Sequence, residues 1–329
     1  PMPSLPPAPA RPVRLAALAA AALLALTACG GEPATGDSAG SREAEGFAIN
    51  TSPEQDRVRA QAVPEIAELV PEEIRESGEL VVGVSGTGGV PLAFFADDDE
   101  TIIGSEPDIA QLVADVLDLD LRLEVTSWDN LLLSVESGQY DVGISNITVT
   151  EERKEIFDFA TYRVDSLSFE ARADSDITVR DRTDVAGLSI AVDAGTNQEE
   201  ILVGWDEENQ ADGLEPVDFQ YYTNPSDYYL ALRSGRIDLH FGPTPMVSYH
   251  VAAAQESTIV GEVPGGGDLP AEIAATTQKG NGLVEPLSQA LNTVIENGRY
   301  AEVLARWGIE ADTIPESEIN PPGLPARED

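Results

Sequence analysis

The sequence predicts an α/β protein of two lobes, each built on a doubly wound, largely parallel sheet. Short apolar runs of strand length alternate with stretches of helical period along the body of the chain, the pattern of βαβ units. The segment Ser137-Gly138-Gln139-Tyr140-Asp141-Val142 has an echo in Ser234-Gly235-Arg236-Ile237-Asp238-Leu239, each between a helix and a strand. Two lobes of similar design produce such an echo, although Ser-Gly is also a common helix stop. The length, 329 residues, has room for two domains of about 150 residues.

Taken in order, the chain begins with an address. Arg11 and Arg14 precede an almost pure Ala/Leu run from Leu15 to Ala28. That run is well short of the ~20 residues that span a bilayer, so residues 1–28 read as a signal peptide. It ends Leu26-Thr27-Ala28-Cys29-Gly30, small residues before the only cysteine, which resembles the lipobox of bacterial lipoproteins. The resemblance implies cleavage before Cys29 and acylation there, a lipid anchor; an ordinary buried cysteine is the alternative. Residues 29–62, rich in Gly, Ser, Ala, Glu and Pro, read as a flexible acidic tether.

In the body, Glu79–Val84 reads as a buried strand. Ile109, Leu112, Val113, Val116 and Leu117 share one helical face, with Pro107 in the first turn. Leu119, Leu121, Leu123 and Val125 alternate with charged residues at strand period. Trp128 to Val135 reads as a helix and Tyr140 to Ile144 as the next strand. The second set is Leu188–Val192, the alternating Val217, Phe219 and Tyr221, a helix capped by Asn224-Pro225, and the strand Ile237–Phe241. Val284 to Trp307 reads as two helices parted by Asn297-Gly298, and beyond about 312 little order is expected.

Charge narrows the function. There are 59 acids against 19 Lys and Arg, a formal net charge of −40, which disfavours nucleic acid and anionic lipid surfaces as partners. One cysteine and two histidines rule out a disulfide scaffold and leave little for a metal or haem cofactor; none is expected. A monomer is expected.

The stretch Ser137 to Arg153, followed by Phe157-Asp158-Phe159, resembles the signature of the extracellular solute-binding proteins of family 3, the polar-amino-acid receptors of ABC importers. Other pieces follow in that family's order: Val90–Phe94, Gly104–Leu117, Trp128-Asp129-Asn130-Leu131, Ala194-Gly195-Thr196-Asn197, and Asn297-Gly298-Arg299-Tyr300 with Trp307. The resemblance implies a two-lobed periplasmic-binding-protein-like fold of type II. Residues 75–167 and 268–311 would form one lobe and 168–267 the other, hinged near 166–171 and 264–271. It also implies an extracytoplasmic protein that closes on a small ligand, an amino acid or derivative, and passes it to a membrane permease encoded elsewhere.

Thr150 suits an N-cap, which puts Arg153 in a first helical turn, where guanidinium and backbone N–H groups converge on a carboxylate. A salt bridge to a local acid such as Glu151 is the alternative. By resemblance, Arg153 would hold a ligand carboxylate with the amides of Thr148 and of Thr196 or Asn197, while Ser145 and Asn146 meet the rest of the ligand. Trp128 matches an aromatic beside the ligand, or is a core or rim residue. Two departures stand out: Pro243 occupies the position of the usual acid for the ligand ammonium, and Gly89 that of a stacking aromatic. Asp193 supplies the missing negative charge or is a solvated loop acid. His240 is expected to be structural and His250 to lie on a helix surface. The acidic field favours a cationic or polar ligand, an argument that Pro243 weakens. Import, signalling to a sensor protein and, less favoured, catalysis with Glu170 or Asp193 as general acid all remain open at this level; no nucleophile–base pair is visible.

Overall fold

The computed structural model describes residues 41–44, 47–86 and 89–326. The signal-peptide segment, Cys29, the tether up to residue 40, and Thr87 and Gly88 lie outside the described residues.

Strands β1 (Ser41–Ala44) and β2 (Phe47–Asn50) form an antiparallel hairpin. Helices α1 (Pro64–Ala67) and α2 (Glu72–Ser77) lead into β3 (Glu79–Ser85). The short strands β4 (Phe94–Phe95) and β5 (Ile102–Ile103) pair with each other. Then come α3 (Ser105–Val116), β6 (Asp120–Thr126), α4 (Trp128–Glu136) and β7 (Val142–Gly143). After the long strand β8 (Phe157–Arg172), the alternation repeats as β9 (Ser189–Val192), α5 (Asn197–Ala211), β10 (Asp218–Tyr221), α6 (Pro225–Arg233) and β11 (Leu239–Pro243). Helix α7 (Thr244–Ala254), β12 (Ser257–Pro264), β13 (Ala271–Gln278), α8 (Val284–Glu296) and α9 (Arg299–Trp307) follow.

The strand order is β10-β9-β11-β8-β13-β7-β3-β6, with β12 also paired to β8. The β3–β6, β3–β7, β9–β10 and β9–β11 pairs are parallel, as βαβ crossovers require. Leu80, Val82 and Val84 of β3 are fully buried, which is why that strand reads as an apolar run. Strand β8 belongs to both lobes. Its first half pairs with β13 and its second half with β11 and β12. One core gathers Leu80, Val82, Ile109, Leu112, Leu287 and Leu291, and the other Leu167, Phe169, Ile190, Leu202, Leu239 and Phe241. Phe169 and Phe241 stack at 4.0 Å across β8 and β11.

Two expectations are corrected. The segment from Ile49 to residue 62, expected to be tether, packs on the first lobe. Ile49 is buried, Arg57 donates to the carbonyls of Pro107 and Ile102, and Arg59 binds Asp115 through two bonds. Its composition misled because the partners, Ile102 in β5 and Pro107 and Asp115 in α3, lie some 45 to 56 residues along the chain. The tail beyond 312, expected to lack order, lies along β8. The Thr161 amide donates to Glu318, the Asn320 side chain accepts from the Phe159 amide, and Leu324 pairs with both Val149 and Glu151. Backbone pairing holds this segment, and backbone pairing leaves no mark in hydropathy.

Asp312, at the start of that tail, binds the Arg163 guanidinium at 2.9 Å, and Arg163 is only 1% exposed. Removing one partner of a buried pair leaves the other charge uncompensated. Asp312→Ala should therefore destabilise the protein by about 3 kcal/mol in urea unfolding. A loss indistinguishable from that of a surface Asp→Ala control would mean that Arg163 finds its compensation elsewhere.

Candidate ligand-binding site

A cleft opens where the two lobes face each other, lined from one side by Ser85, Leu92, Glu106, Trp128, Ser145 and Asn146 and from the other by Asp193, Thr196, Asn197, Gln198, Pro243 and Met246. Seven residues singled out in the sequence thus line one pocket: Trp128, Ser145, Asn146, Asp193, Thr196, Asn197 and Pro243. Arg153, Thr148 and Gly89 are not among its lining residues.

Arg153 lies in a tight 3-10 turn, Arg153–Glu155, whose N-cap is Glu152 and not the expected Thr150, although the Arg153 amide donates to Thr150 Oγ1 at 3.1 Å. The guanidinium reaches the Thr148 carbonyl of the first lobe at 2.9 Å and the Gly195 carbonyl of the second at 3.3 Å. It also lies over the Trp128 ring, 5.6 Å from the centroid. These two bonds use two of its five N–H donors. Burial lowers its pKa, while the charges of Glu200, Asp165 and Glu152 oppose that shift. The salt bridge to Glu151 considered from sequence does not form; Glu151 pairs with Lys154.

Helix α5 begins at the cleft. Thr196 caps it, accepting from the Glu199 amide, and Asn197 and Gln198 form its buried first turn. The first amides of a helix lack intrahelical acceptors and attract anions. The Asn197 side chain faces the hinge instead, donating to the Gly265 carbonyl at 2.7 Å and to Asp165 at 3.3 Å. Thr148 donates its hydroxyl to the same Asp165 oxygen at 2.7 Å. Burial raises Asp165 to about 6, the Thr148 bond and the Arg163 and Arg153 charges notwithstanding. Only glycine fits at 265, where a Cβ would lie 2.4 Å from the Asp165 Cβ.

The residue that the sequence reading missed is Glu106. It lies in the first turn of α3, is 1% exposed, and lines the pocket. Tyr162 donates its hydroxyl to Oε1 at 3.1 Å, whereas Oε2 has no partner. Burial raises this carboxyl to about 7; the Arg163 charge and the Tyr162 bond restrain the rise. The segment Gly104–Leu117 was legible as a helix, but acids in a first turn ordinarily face water. Only the packing of α3 turns this one inward.

Other residues fall as follows. Ser145 accepts from the Ser85 amide at 2.9 Å. Asn146 takes a left-handed conformation, φ 51°, its amide donating to the Tyr162 hydroxyl and its side-chain oxygen accepting from Arg163. Gly89, with φ 79°, presses against Met246, so methionine fills the space where an aromatic was looked for. Pro243 ends β11 and brings neither charge nor donor. Asp193 is exposed along the cleft, yet partial desolvation raises its carboxyl, the His240 charge opposing and the Asp129 charge adding to the effect.

Both histidines converge on Glu170, at the centre of the second lobe. His240 Nδ1 and His250 Nδ1 lie 3.4 and 2.5 Å from its two oxygens, and Ser257 donates to it at 2.5 Å. His250 is half-buried, not fully on the helix surface; its ring turns in to stack on Tyr229 at 3.5 Å. Burial would raise the Glu170 carboxyl, but the histidine bonds and charges overcome that and hold it at about 2. Since the folded pKa lies below the ordinary value, this carboxylate stabilises the fold above about pH 4.5 and loses that effect as pH falls toward 2. Glu170→Gln should cost about 3 kcal/mol at pH 7 and clearly less at pH 3, read by urea unfolding. An equal cost at both pH values would show that ionisation is not the source.

The family model of the bacterial extracellular solute-binding proteins, family 3, matches residues 80–310. The arginine-binding protein ArgT of Corynebacterium glutamicum is 30% identical over 259 residues, 78% of this chain and 83% of that one. The L-cystine-binding protein of Escherichia coli is 34% identical over 166 residues, 50% of this chain and 59% of the other. Among solved structures, a mutant of the arginine-binding protein of T. maritima superposes with a TM-score of 0.64 at 25% identity, over 72% of this chain and 98% of that one. By name, these relatives are amino-acid-binding proteins.

Proposed function

Because the chain belongs to the bacterial extracellular solute-binding proteins, family 3, we propose that it is the substrate-binding protein of an ABC importer and holds a basic amino acid, arginine in the first instance, between its lobes. The observation that carries this reading is the polarity of the cleft. At one end stand the Arg153 guanidinium and the first turn of α5; within the pocket the buried Glu106 carboxyl presents an unpartnered oxygen. A ligand with a carboxylate and one or more cationic groups matches that pairing. In this reading Glu106 meets a positive end of the ligand, which answers the loss of the acid at Pro243. The α-carboxylate takes the remaining Arg153 donors with the amides of Thr148 and of Thr196 or Asn197. Ser145, Asn146 and Trp128 wall the ligand, and Asp193 adds negative potential. Arginine-binding relatives support the choice of ligand.

Residues 75–167 with 268–311 would move as one lobe against 168–267, bending where Asp165, Asn197 and Gly265 meet. The signal peptide and Cys29 would leave the mature protein anchored by lipid outside the cytoplasm, beside a permease carried by another chain. Among the described residues no helix is long and apolar enough to cross a membrane.

A thermal-shift and calorimetric screen of the soluble body against amino acids, amines and peptides tests the reading. Arginine or lysine should stabilise the protein, by about 2.7 kcal/mol at 100 times the dissociation constant. Arg153→Ala should weaken that binding at least a hundredfold while the ligand-free protein stays folded by circular dichroism, with some loss of stability from the Thr148 and Gly195 bonds; retained affinity would displace the anion site. Glu106 yields a second expectation. Its folded pKa near 7 means that it is largely protonated at pH 5.5 and ionised at pH 8, and a cationic ligand favours the ionised form. Arginine affinity should therefore rise about tenfold from pH 5.5 to 8, and Glu106→Gln should flatten the profile. A pH-independent affinity in the native protein would remove Glu106 from contact with the cation.

A further inference from the structure

Beyond Trp128 the cleft continues into a second cavity of about 150 Å³, at the outer edge where the lobes meet. Its walls are Trp128 and Asp129 from the start of α4, Asp193 after β9, and Tyr221, Tyr222 and Pro225 between β10 and α6. Trp128 and Asp193 also line the inner pocket, so the two spaces share a wall. We propose that this cavity is an outer subsite for an organic cation, a guanidinium or alkylammonium group. The proposal extends the ligand reading above and adds a place for a second positive charge.

Three observations carry it. The lining holds two carboxylates and no Lys, Arg or His side chain. The two acids act on each other, since the Asp129 charge helps hold the Asp193 carboxyl above its usual range. Glu199, bound to the Gly195 amide at 2.6 Å, adds further negative charge beside Tyr221. A cation entering here relieves that repulsion. Most of the remaining wall is aromatic or apolar, one indole, two phenol rings, Pro225 and Ala194, with Ser127 and Thr223 the uncharged polar members. Aromatic faces attract cations, and more strongly where water is partly excluded. The Arg153 guanidinium already lies over the Trp128 ring, so this indole is placed to meet guanidinium groups. Residues from both lobes build the subsite, so a cation there bridges them and favours closure.

The cation has two possible sources: the far end of an extended ligand, such as a dibasic dipeptide, or a separate small amine. The experiment separates them. In one arm, the ¹⁵N indole resonance of Trp128, assigned with Trp128→Phe, is followed while ethylguanidinium chloride is added to the ligand-free full chain. Ethylurea, of the same shape without the charge, and sodium chloride at equal ionic strength are the controls. A saturable shift with ethylguanidinium alone, weakened at least fivefold in Asp129→Asn and in Tyr222→Ala, supports the subsite. An equal response to ethylurea, or one indifferent to both substitutions, overturns it. In the other arm, arginyl-arginine and arginyl-alanine are titrated calorimetrically. A preference of tenfold or more for the dibasic peptide, lost in Asp129→Asn, assigns the subsite to extended ligands. No preference, with the indole shift present, assigns it to a separate amine. Failure of arginine and both peptides to bind would count against the inner-pocket reading alone, because the first arm needs no ligand there.

Discussion

Arg163 sits with almost no access to water in the one strand that both lobes share, and much of the molecule is arranged around its charge. An unpaired guanidinium at that depth would cost several kcal/mol. Asp312 compensates it at 2.9 Å, which brings the C-terminal segment onto β8. Asn146 accepts from it and is held in a left-handed turn by doing so. That turn aims the Asn146 amide at Tyr162, whose hydroxyl binds Glu106 in the pocket. The tail, the crossing strand and the ligand pocket thus form one polar network, and its order is set from the buried cation outward.

The same economy of cations runs through the chain. With 19 basic residues against 59 acids, each guanidinium has many candidate partners, and the buried ones serve the architecture. Arg57 and Arg306 flank Asp108, which also receives the Trp307 indole N–H at 2.8 Å. Arg153 holds carbonyls of both lobes. Two acids near the cleft are left without full compensation. Glu106 and Asp165 are both raised toward neutrality by burial, each with an oxygen that lacks a partner. Unpartnered carboxylate oxygens beside a cleft cost stability in the resting protein.

Glu170 shows the opposite treatment. It is as deeply buried as Glu106, yet two histidines and a serine satisfy it, and its carboxyl stays ionised far into acid. Burial alone therefore does not decide the state of a carboxyl here; the number of donors does. That difference separates a carboxylate satisfied inside the second lobe from one that lines the cleft with an unpartnered oxygen.

Most of the fold was legible in the sequence, because strand and helix periods follow from which faces are buried. The β3, α3, β6 and α4 order and the Asn297-Gly298 break between α8 and α9 are where the pattern put them. The motif residues Trp128, Ser145, Asn146, Thr196 and Asn197 could be named because the short motifs that carry them resemble those of the family, in the same order along the chain. Contacts between segments distant in the chain were not legible. Nothing near Glu106 in sequence says that Tyr162, 56 residues on, donates to it, nor that Asp312 neutralises Arg163 across 149 residues. His250 looked like a helix-surface residue until Glu170 and Tyr229 were brought beneath it. Hydrophobic pattern and turn chemistry are local properties, and by themselves they determined the two-lobed α/β plan. The charge state of a buried acid depends on which donors the folded chain brings to it, and only the tertiary structure decided that.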